Sequence, residues 1–111
     1  MKNYVQNGEM VYATAPTGGV LSGHPYLFGS LFGISAVDAD AGSTFALWVR
    51  GVYNNMPKAT GAAWTFGEAI YWDDTAKNCT GTATGNTKIG VATKAAASGD
   101  TTGEVRLNGA F

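Results

Sequence analysis

The sequence predicts an all-β protein: a single compact β-barrel or sandwich of short antiparallel strands, with Gly- and Thr-rich loops and at most one short helix. Three observations predict it. Turn signals recur at intervals of roughly 8–12 residues, the spacing of short strands in sandwiches and barrels. Between the turns, apolar and polar side chains alternate, most clearly over residues 44–53. Gly, Ala and Thr supply 46 of the 111 residues. Thr suits a pleated strand and Gly suits turns and bulges, and neither favours a long helix.

Taken in order, Glu9 to Ala15 reads as a first strand, stopped by Pro16-Thr17-Gly18-Gly19. Val20-Leu21 resumes briefly before Ser22-Gly23-His24-Pro25 turns the chain. Tyr26–Phe28 and Leu31–Val37 read as two strands split by Gly29-Ser30, and Asp38–Gly42 as a turn. Thr44 to Tyr53 is the clearest strand. It places Phe45, Leu47 and Val49 on one face and Thr44, Ala46, Trp48 and Arg50 on the other. Pro57 has no N–H for a sheet ladder, so Asn54–Lys58 is expected to break that strand. Thr60 to Phe66 reads as either a loop or a short helical turn. Glu68–Trp72 is a strand, Asp73–Asn78 a turn and Cys79–Thr82 a return strand. Thr87–Thr93 and Glu104–Leu107 complete the set, with Ile89/Val91 and Val105/Leu107 facing inward. Ala95–Gly103 reads as a small-residue loop, with room for one helical turn at Ala95–Ala97.

The length allows one domain, read as a polar arm over residues 1–8 and a single β domain over residues 9–111. Leu, Ile, Val and Phe contribute only 21 residues, so the core is thin and gains from burying surface against identical copies or a larger partner. The net charge is −1, and the basic residues form no stripe that could follow a phosphate backbone, which argues against nucleic acid as a partner. The single cysteine closes no internal disulfide and is compatible with a reducing cytoplasm. No apolar run opens the chain as a signal peptide would. No stretch approaches the ~20 apolar residues of a membrane span. A soluble protein made in the cytoplasm is expected.

Reaction chemistry finds little support. Sixteen glycines include neither a Gly-Lys-Ser/Thr phosphate cradle nor a Gly-x-Gly-x-x-Gly opening. His24, the only histidine, precedes Pro25 and reads as a turn residue without a second ligand for a metal. Cys79 reads as a small, inert strand residue. Asp38-x-Asp40-x-Gly42 starts like a calcium loop but puts Val49 where the bidentate acid belongs. Asp73-Asp74 reads as an Asx-type turn whose side chains bond the local backbone. Asn78-Cys79-Thr80 matches a glycosylation acceptor only formally. No catalytic residue, cofactor or metal site is expected.

Binding is better represented. Trp48 lies opposite the apolar face of its strand, either at a subunit interface or beneath a loop. Trp64 and Phe66, flanked by Gly61 and Gly67, read as loop anchors or protein-contact hot spots. Trp72 ends a strand and plugs the core. Lys2, Asn3, Tyr4, Val5 and Gln6 form an arm able either to add a strand to a partner's sheet edge or to serve as an ordinary first strand. The interface candidates are therefore Lys2, Asn3, Tyr4, Val5, Gln6, Trp48, Trp64 and Phe66.

Several segments together resemble one family: Met1–Gln6, Leu31-Phe32-Gly33-Ile34, Gly51-Val52-Tyr53, Pro57-Lys58, Ala69-Ile70-Tyr71-Trp72-Asp73-Asp74, Ile89-Gly90-Val91-Ala92 and Val105-Arg106-Leu107-Asn108-Gly109. The chain is similar along nearly its whole length to the small capsid cement, or decoration, proteins of tailed bacteriophages and prophages. Tyr-Trp-Asp-Asp is the most specific part of the likeness. The resemblance implies a non-enzymatic β-rich protein that binds the outside of an assembled head. It implies a homotrimer at local three-fold positions that clamps neighbouring major capsid subunits against internal pressure. The virion's outer surface is the implied location, with the host cytoplasm during assembly. Trp48 and Trp64 depart from the family pattern, which expects smaller or charged residues there. The alternative function is a carbohydrate-binding or adhesion module that stacks sugars on Trp48, Trp64 and Trp72.

Overall fold

The structure, a computed structural model, describes residues 10–108. Every regular element in that range is a strand, and the all-β expectation holds. The chain divides into two compact units, Met1–Arg50 and Gly51–Phe111.

The first unit holds β1 (Met10–Thr14), β2 (Pro25–Phe28), β3 (Leu31–Ser35) and β4 (Thr44–Trp48), in an antiparallel sheet ordered β1-β4-β3-β2. Gly29, at φ +63°, takes the left-handed turn of the β2–β3 hairpin at little steric cost. The alternation in residues 44–49 does what it predicts. Phe45, Leu47 and Val49 are buried with Ala15 and Val20, and Val11, Ala13, Tyr26, Phe28 and Leu31 pack against them. Phe28 and Phe45 meet as tilted rings 6.1 Å apart. Gly33 allows β3 to approach β4 closely, since a Cβ there would lie 2.6 Å from both Leu47 Cγ and the Trp48 carbonyl oxygen. The brief strand expected at Val20-Leu21 reduces to one bridge, in which Val20 and Ala39 exchange hydrogen bonds of 2.9 and 3.0 Å.

The expected single strand over residues 44–53 is instead two strands. Pairing stops at Val49, and the chain leaves one sheet for the other through Gly51 at φ +116°. The second strand, β5 (Arg50–Pro57), runs straight through the segment expected to break it. It is the edge strand of its sheet, where a proline imide forfeits no ladder bond, and Asn55 takes up the local distortion at φ +55°.

In the second unit, β5 is joined by β6 (Ala69–Asp73), β7 (Asn78–Thr80), β8 (Thr87–Ala92) and β9 (Thr102–Asn108), in the order β5-β9-β8-β6-β7. The sheet curls far enough that Lys58, just past one edge strand, makes a parallel bridge to Cys79 on the other. Ile70, Trp72, Cys79, Ile89, Ala92, Val105 and Leu107 are buried in this unit. Ile70 pairs with Gly90 and Tyr71 with Lys88, which leaves Ile89 as the extra residue of a β-bulge on β8. The bulge shifts the phase of the strand. Ile89 and Ala92 are buried, whereas Val91, expected inward, is only half-buried. The expected inward pair on β9, Val105 and Leu107, is buried.

Neither ambiguous small-residue segment is helical. Ala96 lies in an antiparallel bridge with Trp64, not in the helical turn allowed at Ala95–Ala97, because extended backbone there satisfies both residues' amides. Among the described residues no helix is long and apolar enough to cross a membrane.

Candidate functional site: exposed aromatic side chains on β-strands and turns

The polar groups that suggested chemistry are occupied in holding turns. Asp73 Oδ1 accepts the N–H groups of Thr75 and Ala76 at 3.0 and 3.1 Å, and Lys77 completes the hairpin at φ +58°. Asp74 accepts from Lys77 Nζ at 2.8 Å and from the Trp72 indole at 3.0 Å, and these bonds, the lysine's first, hold its carboxyl below the usual range. Asp38 accepts the Ser22 N–H at 2.8 Å. His24 is exposed, and its backbone bonds Leu21 and Ser35 within the turn. Burial pushes the Cys79 thiol up to about 12, far from the thiolate needed for nucleophilic or metal chemistry. Among the described residues no three His, Cys, Asp or Glu side chains gather to hold a metal ion.

One polar group was not legible in the sequence. Lys58 is buried, and its Nζ donates to the carbonyls of Ala59 (3.0 Å), Ala62 (2.8 Å) and Asp100 (3.4 Å) while lying 5.7 Å from the centre of the Trp64 ring. A lysine after a proline looks like an exposed loop residue. Ala59 and Ala62 are local in sequence, but Asp100 reaches Lys58 only in the folded chain. Near them runs a polar groove of about 580 Å³, lined in part by Asn54, Asn55, Lys94, Asp100 and Glu104. Its carboxylates are engaged: Asp100 accepts the Ala97 N–H at 2.9 Å, and Glu104 accepts the Thr93 hydroxyl at 2.8 Å.

The tryptophans separate into two kinds. Trp64 is 2% exposed, and its ring lies where any Cβ on Gly103 would fall, so it works as an anchor inside its unit. Trp72 is equally buried, as a core plug should be. A three-tryptophan sugar platform therefore keeps only Trp48, at 39% exposed. The first unit surrounds Trp48 with further apolar surface. Trp48 pairs with Met10 and Ala46 pairs with Tyr12, so these side chains share one face of β1 and β4, and Tyr12 is 63% exposed. The sequence did not single out Tyr12. Its place beside Trp48 depends on strand register, which alternation alone cannot supply.

Phe66 is the most exposed large apolar side chain among the described residues, at 78%. It occupies the second position of the turn Thr65–Glu68, which is closed by the Glu68 N–H to the Thr65 carbonyl at 3.1 Å. Gly67 sits in the third position at φ +86°, the pattern of a type II turn. The interface candidates Lys2, Asn3, Tyr4, Val5 and Gln6 lie outside the described residues.

The scaffold thus leaves Tyr12, Trp48 and Phe66 exposed, while Asp73, Asp74 and Lys58 are engaged within the fold. Comparison with known families places the chain. The family model for phage cement proteins matches residues 5–107. This chain belongs to the phage cement protein family. Membership implies association with a phage capsid and a place on it. No curated protein and no solved structure matches the chain.

Proposed function

We propose that this cement protein is a non-enzymatic decoration protein that binds the outer surface of an assembled phage head and stabilises it, as a homotrimer at local three-fold positions. The observation that carries the reading is the family match over residues 5–107 of a chain of 111. Two physical features support it. The Asp73 and Asp74 carboxylates are tied into a turn and the Cys79 thiol is buried, so these groups are committed to the fold. Large apolar side chains, Tyr12, Trp48, Val52 and Phe66 among them, are left to solvent at a free-energy cost that a binding partner would recover.

Trimerisation multiplies modest contacts. Once one subunit is docked, the second and third bind intramolecularly, at an effective concentration in the millimolar range for closely linked sites. In a three-fold ring each patch meets a complementary patch on the next copy and the rotation closes. The major capsid protein is the partner, and Trp48, Phe66 and the arm residues Lys2, Asn3, Tyr4, Val5 and Gln6 are the contact candidates. The test is co-sedimentation with heads of the phage that encodes the protein. Binding to expanded heads but not to unexpanded proheads is expected. Equal binding to both, or to neither, would contradict the reading.

A further inference from the structure

The Phe66 turn has a feature that its place in the fold does not require. The third position of a type II turn needs a residue that tolerates positive φ, and Gly67 supplies it. The second position makes no demand for an aromatic ring and commonly takes proline. Phe66 nevertheless leaves 78% of its surface in water.

The backbone beneath this ring is tied down on both sides. Gly67 donates to the Ala92 carbonyl at 2.7 Å, and Ala92 donates back to the Glu68 carbonyl at 2.8 Å. Just upstream, Trp64 and Ala96 exchange hydrogen bonds of 2.9 and 3.1 Å while the Trp64 ring is buried against Gly103. The Glu68 carboxylate closes the turn from its side, accepting from the Thr65 N–H at 3.1 Å and the Thr65 hydroxyl at 3.3 Å. An exposed ring on so constrained a turn loses little backbone freedom when it binds. That is the property of an aromatic hot spot.

The shape and chemistry limit the partner. A single ring projecting from a four-residue turn fits a concave apolar cleft better than a flat surface. A sugar site needs free donors and acceptors beside its stacking ring, and one oxygen of the turn's carboxylate, Glu68 Oε1, is already taken by Thr65. A nucleic-acid site needs a run of cations, and the chain has a net charge of −1 and no basic stripe. Resting on the capsid-decoration reading above, we propose that Phe66 is the anchor that inserts into an apolar pocket on the outer face of the major capsid protein.

The test compares wild type, Phe66→Ser, Phe66→Leu and Phe66→Trp by titration onto expanded heads, with thermal melts and sedimentation velocity on each free protein. The melts should coincide, since the ring supports nothing in the fold. Phe66→Ser should bind about 10- to 100-fold more weakly, the range of a lost hot spot. Phe66→Leu should retain most of the affinity, because an apolar pocket accepts an aliphatic side chain where a stacking platform does not. Undiminished binding by Phe66→Ser overturns the anchor and leaves the decoration reading intact. A change in oligomeric state with unchanged affinity per subunit moves the ring to a contact between copies and overturns it too. Full binding by Phe66→Trp with none by Phe66→Leu points to stacking and overturns the pocket. Failure of the wild type to bind heads at all overturns the decoration reading itself.

Discussion

At the scale of single residues, two ionisable groups make opposite predictions. Cys79 is buried, and desolvation raises its thiol to about 12, so the folded protein should resist an aromatic disulfide reagent at pH 8. One equivalent should react after denaturation. Rapid labelling of the native state would mean that β7 opens readily. Asp74 is shifted the other way, by its bonds to Lys77 and the Trp72 indole. A carboxyl with a folded-state pKa below its unfolded value adds stability that is present above the unfolded pKa. That stability disappears as pH falls through the folded value. Asp74→Asn should therefore cost under about 1 kcal/mol at pH 7, the range for an exposed pair, and the difference from wild type should fade below about pH 4. Paired melts at pH 7 and pH 3 measure it. The turn role of Asp73 was legible because Asx chemistry is local in sequence. Asp74, expected to bond the local backbone as well, bonds the Lys77 and Trp72 side chains instead. Lys58 was not legible, since its burial depends on the distant Asp100 segment, and its two local acceptors are backbone carbonyls that no side-chain type marks.

At the scale of elements, local alternation read most strands correctly and failed where the sheet departs from regular pairing. Phe45, Leu47 and Val49 obey the period of two, as do Val105 and Leu107. Val91 does not, because the bulge at Ile89 shifts its strand by one residue. Pro57 was read as a strand breaker, and only its edge position explains why it is tolerated. Gly90 marks a limit of another kind, that of backbone approach. It lies against β9, where a Cβ would collide with the Arg106 carbonyl oxygen. Gly90→Ala must push β8 from β9 and should destabilise by about 1–3 kcal/mol, readable as a lower midpoint in denaturant. Gly99→Ala, with open space around its Cβ, is the control and should change little. Trp64 shows what a sequence cannot say about an aromatic in a loop. Flanked by glycines it resembled a contact residue as much as Phe66 did, yet it is buried while Phe66, two positions on, is exposed.

At the scale of the whole molecule, family membership was carried by the order of several weak segments, with Tyr71-Trp72-Asp73-Asp74 at their centre. That run identifies the scaffold because it does structural work: Trp72 fills the core, Asp73 makes the turn, and Asp74 ties the turn to the indole. The binding surface was less legible, since exposure depends on register and on what the rest of the chain covers. A chain with few large aliphatic residues gains by sharing its apolar surface with a partner, and decoration of a capsid supplies one. The direct measurement is an electron cryomicroscopy reconstruction of expanded heads, with and without added protein. Extra density is expected on the outer surface, in three copies around each local three-fold position. Density on the inner surface, or no difference between the two maps, would contradict it.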